Sequence, residues 1–212
     1  MAAGGNTAAA LGAFIVFEDE AGFATTPPTS RTWSRRGHTP LLRIRGRSRH
    51  RISVAALCCY RPGERSRLIY RYLSHKSRDS TTRAGRRSFA WTDYRDLLIA
   101  AHQQLGAPIV LVWDSLNTHR AAGMRDFIAA HDWITAFHLP PYAPDLNPVE
   151  GIWFLLRRSS QANTAFTDHD HLIRACRHGL RTIQYRSHLI DGCLTGTGLV
   201  ATNQPTLIPK DQ

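Results

Sequence analysis

Residues 108–114 read "PIVLVWD". Five consecutive apolar residues stand between a proline and an acid. A half-buried strand alternates apolar with polar residues; one covered on both faces is apolar throughout, the habit of a parallel strand between helices. The flanks agree. Upstream, residues 92–105 place Leu97, Leu98, Ala101 and Leu105 on one helical face, with Thr92 available as a cap and Gly106 and Pro108 as a stop. Downstream, 120–131 suits a helix and 133–139, "WITAFHL", a further strand. Strand-helix-strand order predicts parallel neighbours.

The N-terminal half reads differently. "AFIVFED" (13–19), "ISVAALCC" (52–59) and "RLIYRYL" (67–73) are three strands with no helix between them, the last two joined by a "RPGER" turn, and they predict antiparallel pairing. "TTPPTSRTWSRRGHTP" is an irregular excursion with a hairpin around Trp33, and "SHKSRDSTTRAGRRS" a polar, basic connection. A helix begins near Pro148 and another after Thr167, where "TDHD" fits a capping box with Asp170 in the acid's place. After Ile190 no periodicity stands out. The expected architecture is α/β, a mixed sheet flanked by helices: a short lead at 1–12, one domain at 13–198 and a tail at 199–212.

Composition narrows the function. The chain of 212 residues is 42% hydrophobic, enough for one globular core. Its 27 Lys and Arg against 16 Asp and Glu leave a formal charge of +11, which points to a polyanionic partner, nucleic acid foremost. Cys58, Cys59, Cys176 and Cys193 form no C-x-x-C pair, which argues against a zinc site or disulfide framework and for the cytoplasm. The apolar run "AAALGAFIVF" lacks a basic start, is too short to span a membrane and runs into "EDE", so it reads as a first strand and not a targeting segment. "GTG" near Gly196 lacks a nucleotide-binding context and no phosphate-loop lysine motif exists, so no ATP requirement is implied.

Asp19 and Asp114 close apolar strands, and ligands of α/β sheets gather beyond such strand ends. If the two strands are neighbours, these carboxylates stand close together, a position favourable only with a cation between them or a proton on one. Carboxylate oxygens suit Mg²⁺. Glu150 opens the helix after Asn147 and Pro148, at the N3 position of a capping box. Each acid also has a structural reading: strand end, loop cap or helix cap. Val149, Ile152, Trp153 and Leu156 form that helix's buried stripe, Glu150 lies at its edge, and Arg157 shares Glu150's side.

Together, "FEDEAGF", "TWSRRGHTP", "VLVWDSLNTHRA" and "LPPYAPDLNPVEGIWFLLRR" closely resemble the transposase superfamily of mariner-like and related bacterial insertion sequences. The 35 residues between Asp114 and Glu150 fit that family's spacing. The resemblance implies a DDE endonuclease domain with a ribonuclease H-like, mixed five-stranded sheet. It implies that Asp19, Asp114 and Glu150 are the catalytic, metal-binding triad for two Mg²⁺ ions, with Mn²⁺ able to substitute, and that Asn117 and His119 are auxiliary. It implies DNA partners (element ends and target), strand transfer, and a homodimer on DNA in the bacterial nucleoid. About a dozen residues precede the first strand where the family places helix-turn-helix modules. A separately encoded helix-turn-helix half, or a truncated DNA-binding remnant, is therefore expected. A ribonuclease H-like nuclease is a further alternative.

Arg43, Arg45, Arg47, Arg49 and Arg51 alternate, so in an extended segment they face one side and either track phosphates or protect a strand edge. Arg157 and Arg158 are further candidates for phosphate contact. "DHDH" (168–171) reads as helix capping in preference to a metal site.

Overall fold

The computed structural model describes residues 2–26, 33–38, 51–74 and 88–199. Its order is α1 (Ala2–Leu11), β1 (Phe14–Ala24), β2 (Arg51–Tyr60), β3 (Arg67–Ser74), α2 (Trp91–Leu105), β4 (Ile109–Trp113), α3 (Ala122–Ala129), β5 (Ile134–His138), α4 (Pro148–Leu156), α5 (His169–Gln184) and α6 (Ser187–Gly196). A short 3-10 turn, Pro144–Leu146, precedes α4, and a π-helical turn, Arg157–Gln161, continues it.

The five strands form one sheet in the order β3-β2-β1-β4-β5. β1, β2 and β3 pair antiparallel, whereas β4 runs parallel to both β1 and β5, as the connections require. "IVLVW" is buried at all five positions, as its unbroken apolar character predicts. One sheet face packs Ile15, Phe17, Val54, Ala56, Cys58 and Val110 against α4, α5 and α6. The other packs Phe14, Val16, Ala55, Leu57 and Leu111 against α2 and α3. Cys58 and Cys59 are buried strand residues on opposite faces. No helix among the described residues is long and apolar enough to cross a membrane.

Several local expectations are corrected. The lead contains a helix, α1, which forms despite Gly4, Gly5, Asn6 and Thr7 in its middle and is closed by Gly12 in the left-handed region at φ 58°. β1 does not stop at Asp19: antiparallel pairing with β2 carries it to Ala24, and Ala21 and Phe23 keep its apolar alternation. The cap of α2 is not Thr92; Asp93 reaches back to accept the Ala90 N–H at 2.9 Å. The cap of α5 is Asp168, accepting the His171 N–H at 2.7 Å, which bears out capping with the cap one residue later than expected. α6 forms where no periodicity stood out. It contributes Ile190 and Leu194 to the core and is tied by the Tyr60 hydroxyl donating to the Ile190 carbonyl at 2.9 Å. It also lies close to α4: a Cβ on Gly151 would come within 2.8 Å of Cys193 Sγ. Of the Trp33 hairpin, residues 33–38 show an exposed Trp33 and a turn closed by the His38 N–H on the Arg35 carbonyl. The rest of that segment, and Arg43, Arg45, Arg47 and Arg49, lie outside the described residues.

Candidate active site

β1 and β4 are hydrogen-bonded neighbours through Phe17↔Val112. Carried two residues further, the same register sets Asp19 opposite Asp114. Asp19 is thus not at a strand end but where β1 loses its parallel partner while keeping its antiparallel one. Both carboxylates project from the sheet face that α4 covers, and α4 begins beside them. Asp19, Asp114 and Glu150 line one cavity of about 350 Å³, together with Leu116, Tyr142 and Asn147. Tyr142 stands fully exposed there, with a φ of 59° that places its backbone in the left-handed region, uncommon for an aromatic residue.

Each acid is held differently. Asp19 accepts the Trp153 indole N–H at 2.7 Å. Burial pushes its carboxyl up to about 7; the indole bond opposes this, and the charges of Glu18 and Glu150 add to it. Asp114 accepts the Leu116 N–H at 3.0 Å and lies 2.8 Å from His119 Nδ1. Burial would raise it, but His119 and the Leu116 amide outweigh burial and hold it below the usual carboxylate range. The loop-capping reading of Asp114 is therefore real and coexists with its place in the cavity.

Glu150 is exposed at the cavity rim and does not complete a capping box. The N–H it would accept, that of Asn147, already donates to the Pro144 carbonyl at 2.8 Å. Asn147 caps alone, accepting the Val149 N–H at 3.1 Å, and its amide also donates to the Glu18 carbonyl at 2.9 Å. One buried side chain thus links the start of α4 to β1.

His119 is buried, stacked on Trp113 at 4.2 Å between ring centroids. Its Nε2 lies 3.1 Å from Glu18 Oε2, and Glu18 is 1% exposed. Burial would lower the imidazole; Asp114 and Glu18 on its two nitrogens overcome burial and push it up to about 10. An imidazolium between two carboxylates is the state we assign. Glu18 itself is raised by burial, against the pull of His119. The sequence carries a signal that Glu18 is more than a neighbour of Asp19. The available signal was its place in the Phe14, Val16, Glu18 alternation, on a face otherwise apolar. Asn117, by contrast, is exposed and does not line the cavity. Arg157 and Arg158 do not line it either: their guanidiniums lie over Phe23 at 5.6 Å and Phe154 at 5.1 Å.

Among the described residues no three Asp, Glu, His or Cys side chains close into a ready-made cage. The three carboxylates instead surround the cavity, Asp19 and Asp114 each with its own donor and Glu150 exposed at the rim. Their chemistry, acceptor-only oxygen in a crowded negative field, fits a hard divalent cation.

The sequence model of the DDE superfamily endonuclease family matches residues 14–173. An uncharacterised protein of Sinorhizobium fredii (strain NBRC 101917 / NGR234), y4pE/y4sA, is 35% identical over 71 residues, 34% of this chain and 50% of its own. The mariner Mos1 paired end complex with Mg contains a chain of similar fold, with a TM-score of 0.54 and 17% identity over 87% of this chain and 55% of that one. The Mos1 strand transfer complex gives 0.52 and 16%, over 88% and 55%. At such identities the likeness is one of fold, the ribonuclease H-like mixed sheet flanked by helices. The chain spans about half the length of these relatives.

Proposed function

The chain belongs to the DDE superfamily endonucleases, and from that membership we propose that it is the catalytic unit of a DNA transposase. It cuts phosphodiester bonds at element ends and joins the 3′ ends to target DNA. The observation that supports this reading is that Asp19, Asp114 and Glu150 line one cavity where β1 and β4 part. The Mos1 structures are of a paired end complex with Mg and a strand transfer complex; carried to this chain, they favour a divalent cation and strand-transfer chemistry.

In this reading the three acids hold two Mg²⁺ ions, with Mn²⁺ able to substitute. Such ions, when bound, activate a water or 3′-hydroxyl and neutralise charge on the leaving oxygen. The protein's own work is positioning. His119 and the Leu116 amide keep Asp114 ionised and fix its rotamer. Trp153 orients Asp19. Asn147 sets where α4 starts and so where Glu150 stands. The net charge of +11 suits a DNA substrate. The same reading has the chain act in the cytoplasm, at the nucleoid, as a homodimer on DNA, with a separately encoded helix-turn-helix half.

The test is cleavage of duplex DNA by the full chain with Mn²⁺ or Mg²⁺, set against Asp114→Asn and a chelator control. Cleavage that needs the metal and disappears in the folded variant is the expected result. Unchanged cleavage in Asp114→Asn overturns the assignment.

A further inference from the structure

The edge of the sheet away from the cavity carries a second concentration of chemistry. From residue 171 through the end of α5 to residue 186 the chain has no acid, and Arg174, Arg177, Arg181 and Arg186 are exposed. Arg174, Arg177 and Arg181 share one face by helical spacing. The Arg177 guanidinium lies over the Tyr72 ring at 5.7 Å and that of Arg181 over Tyr185 at 5.6 Å. Beside Arg177 is a hollow of about 370 Å³ whose walls also include Tyr70, Tyr72 and Gln184. Gln184 closes its floor by donating to the Leu68 carbonyl at 2.8 Å.

The charges here are unequal. Arg71 is neutralised by Asp96 at 3.7 Å, and Arg65 donates to the Tyr185 carbonyl at 2.7 Å. Asp191, the nearest acid after α5, accepts from Ser66. No carboxylate among the described residues pairs with Arg177 or Arg181. These two guanidiniums are held by aromatic rings with their N–H edges unclaimed by acids. Stacking of this kind orders a long side chain without cancelling its charge.

We propose that this α5–β3 edge is a second DNA-contacting surface, which grips the phosphate backbone of a duplex away from the reacting bond. Phosphate is the chemistry that matches ordered, unneutralised guanidiniums. The register Asp19↔Ala56↔Tyr70 puts the edge two strand spacings, about 10 Å, from Asp19 in the sheet. That is well inside one duplex turn, about 34 Å. The proposal rests on the DNA reading above and adds a place that neither the triad nor Arg157 and Arg158 occupies.

The test is fluorescence anisotropy of the full chain with a 30-base-pair duplex of arbitrary sequence, in chelator, over a series of salt concentrations. If Arg177 and Arg181 each neutralise one phosphate, R177A/R181A lowers the slope of log K against log salt by about 2. R177K/R181K keeps the charge and is expected to keep most of the slope. Both residues are exposed, and circular dichroism verifies the fold. If the Ala pair binds with the parent's affinity and slope, the surface is overturned and the cavity reading stands. If the Lys pair loses as much slope as the Ala pair, charge on phosphate is not what was removed, and the proposal fails. If the parent chain does not bind the duplex at all, this surface is overturned, while the cavity reading is decided separately by the metal-dependent cleavage assay.

Discussion

Replacing Asp19 by Asn in the metal-free protein tests the crowding of charge directly. Burial and the neighbouring acids push the Asp19 carboxyl from 3.8 in the unfolded chain to about 7 in the folded one. A carboxyl raised on folding contributes stability that is present below 3.8 and lost as pH rises through 7. Between pH 5 and pH 8 the loss from this group works out at about 2.5 kcal/mol, and water at the partly open cavity reduces it to between about 1 and 2.5. Asn is nearly isosteric and its oxygen still accepts the Trp153 indole N–H, but it carries no charge. Urea unfolding in chelator should therefore show Asp19→Asn gaining on the parent, by that amount, from pH 5 to pH 8. Adding Mn²⁺ at pH 8 should then stabilise the parent by about 2.7 kcal/mol at a hundred times its dissociation constant, and the variant far less. A difference between the two proteins that stays flat across this pH range refutes the argument that Asp19 is a strained charge awaiting a cation.

Glu150→Gln should leave unfolding within about 0.5 kcal/mol of the parent, since Glu150 is exposed and caps nothing, yet lower DNA cleavage by about a hundredfold or more in a gel assay. His119→Leu should cost about 3–5 kcal/mol in urea unfolding, because Glu18 is left buried without its cation; adding Glu18→Gln should return part of that loss. Gly151→Ala should destabilise by about 1–2 kcal/mol, the clash with Cys193 outweighing the better helix propensity, with the cost read from thermal unfolding.

What could be read from the chain follows the range of the forces involved. The unbroken "IVLVW" and the helices beside it carry their own periodicity, so the parallel half of the sheet was legible, as were the antiparallel strands before it. The acids stood out because they interrupt or follow apolar runs. The Asp114–His119–Glu18 line was not legible as a unit: it joins residues about a hundred positions apart, and Glu18 gains its meaning only when α2 and Trp113 bury it. α6 has only Ile190 and Leu194 to mark its core face, and tertiary packing completes it. The cap of α4 was read correctly at Asn147 but wrongly at Glu150, because the 3-10 turn that occupies the Asn147 N–H has no strong signal of its own.

Asn147 has a consequence for how such a protein can vary. It fastens the first turn of α4 to the Glu18 carbonyl, one residue from Asp19, and together with the Trp153–Asp19 bond and the buried face of α4 it sets the gap between the first and third acids without the proline-rich segment at 139–146. That segment is thereby released from gauge-keeping. Its length and composition can drift, reshaping the mouth of the cavity and the substrate it admits, while the spacing of the acids stays in calibration.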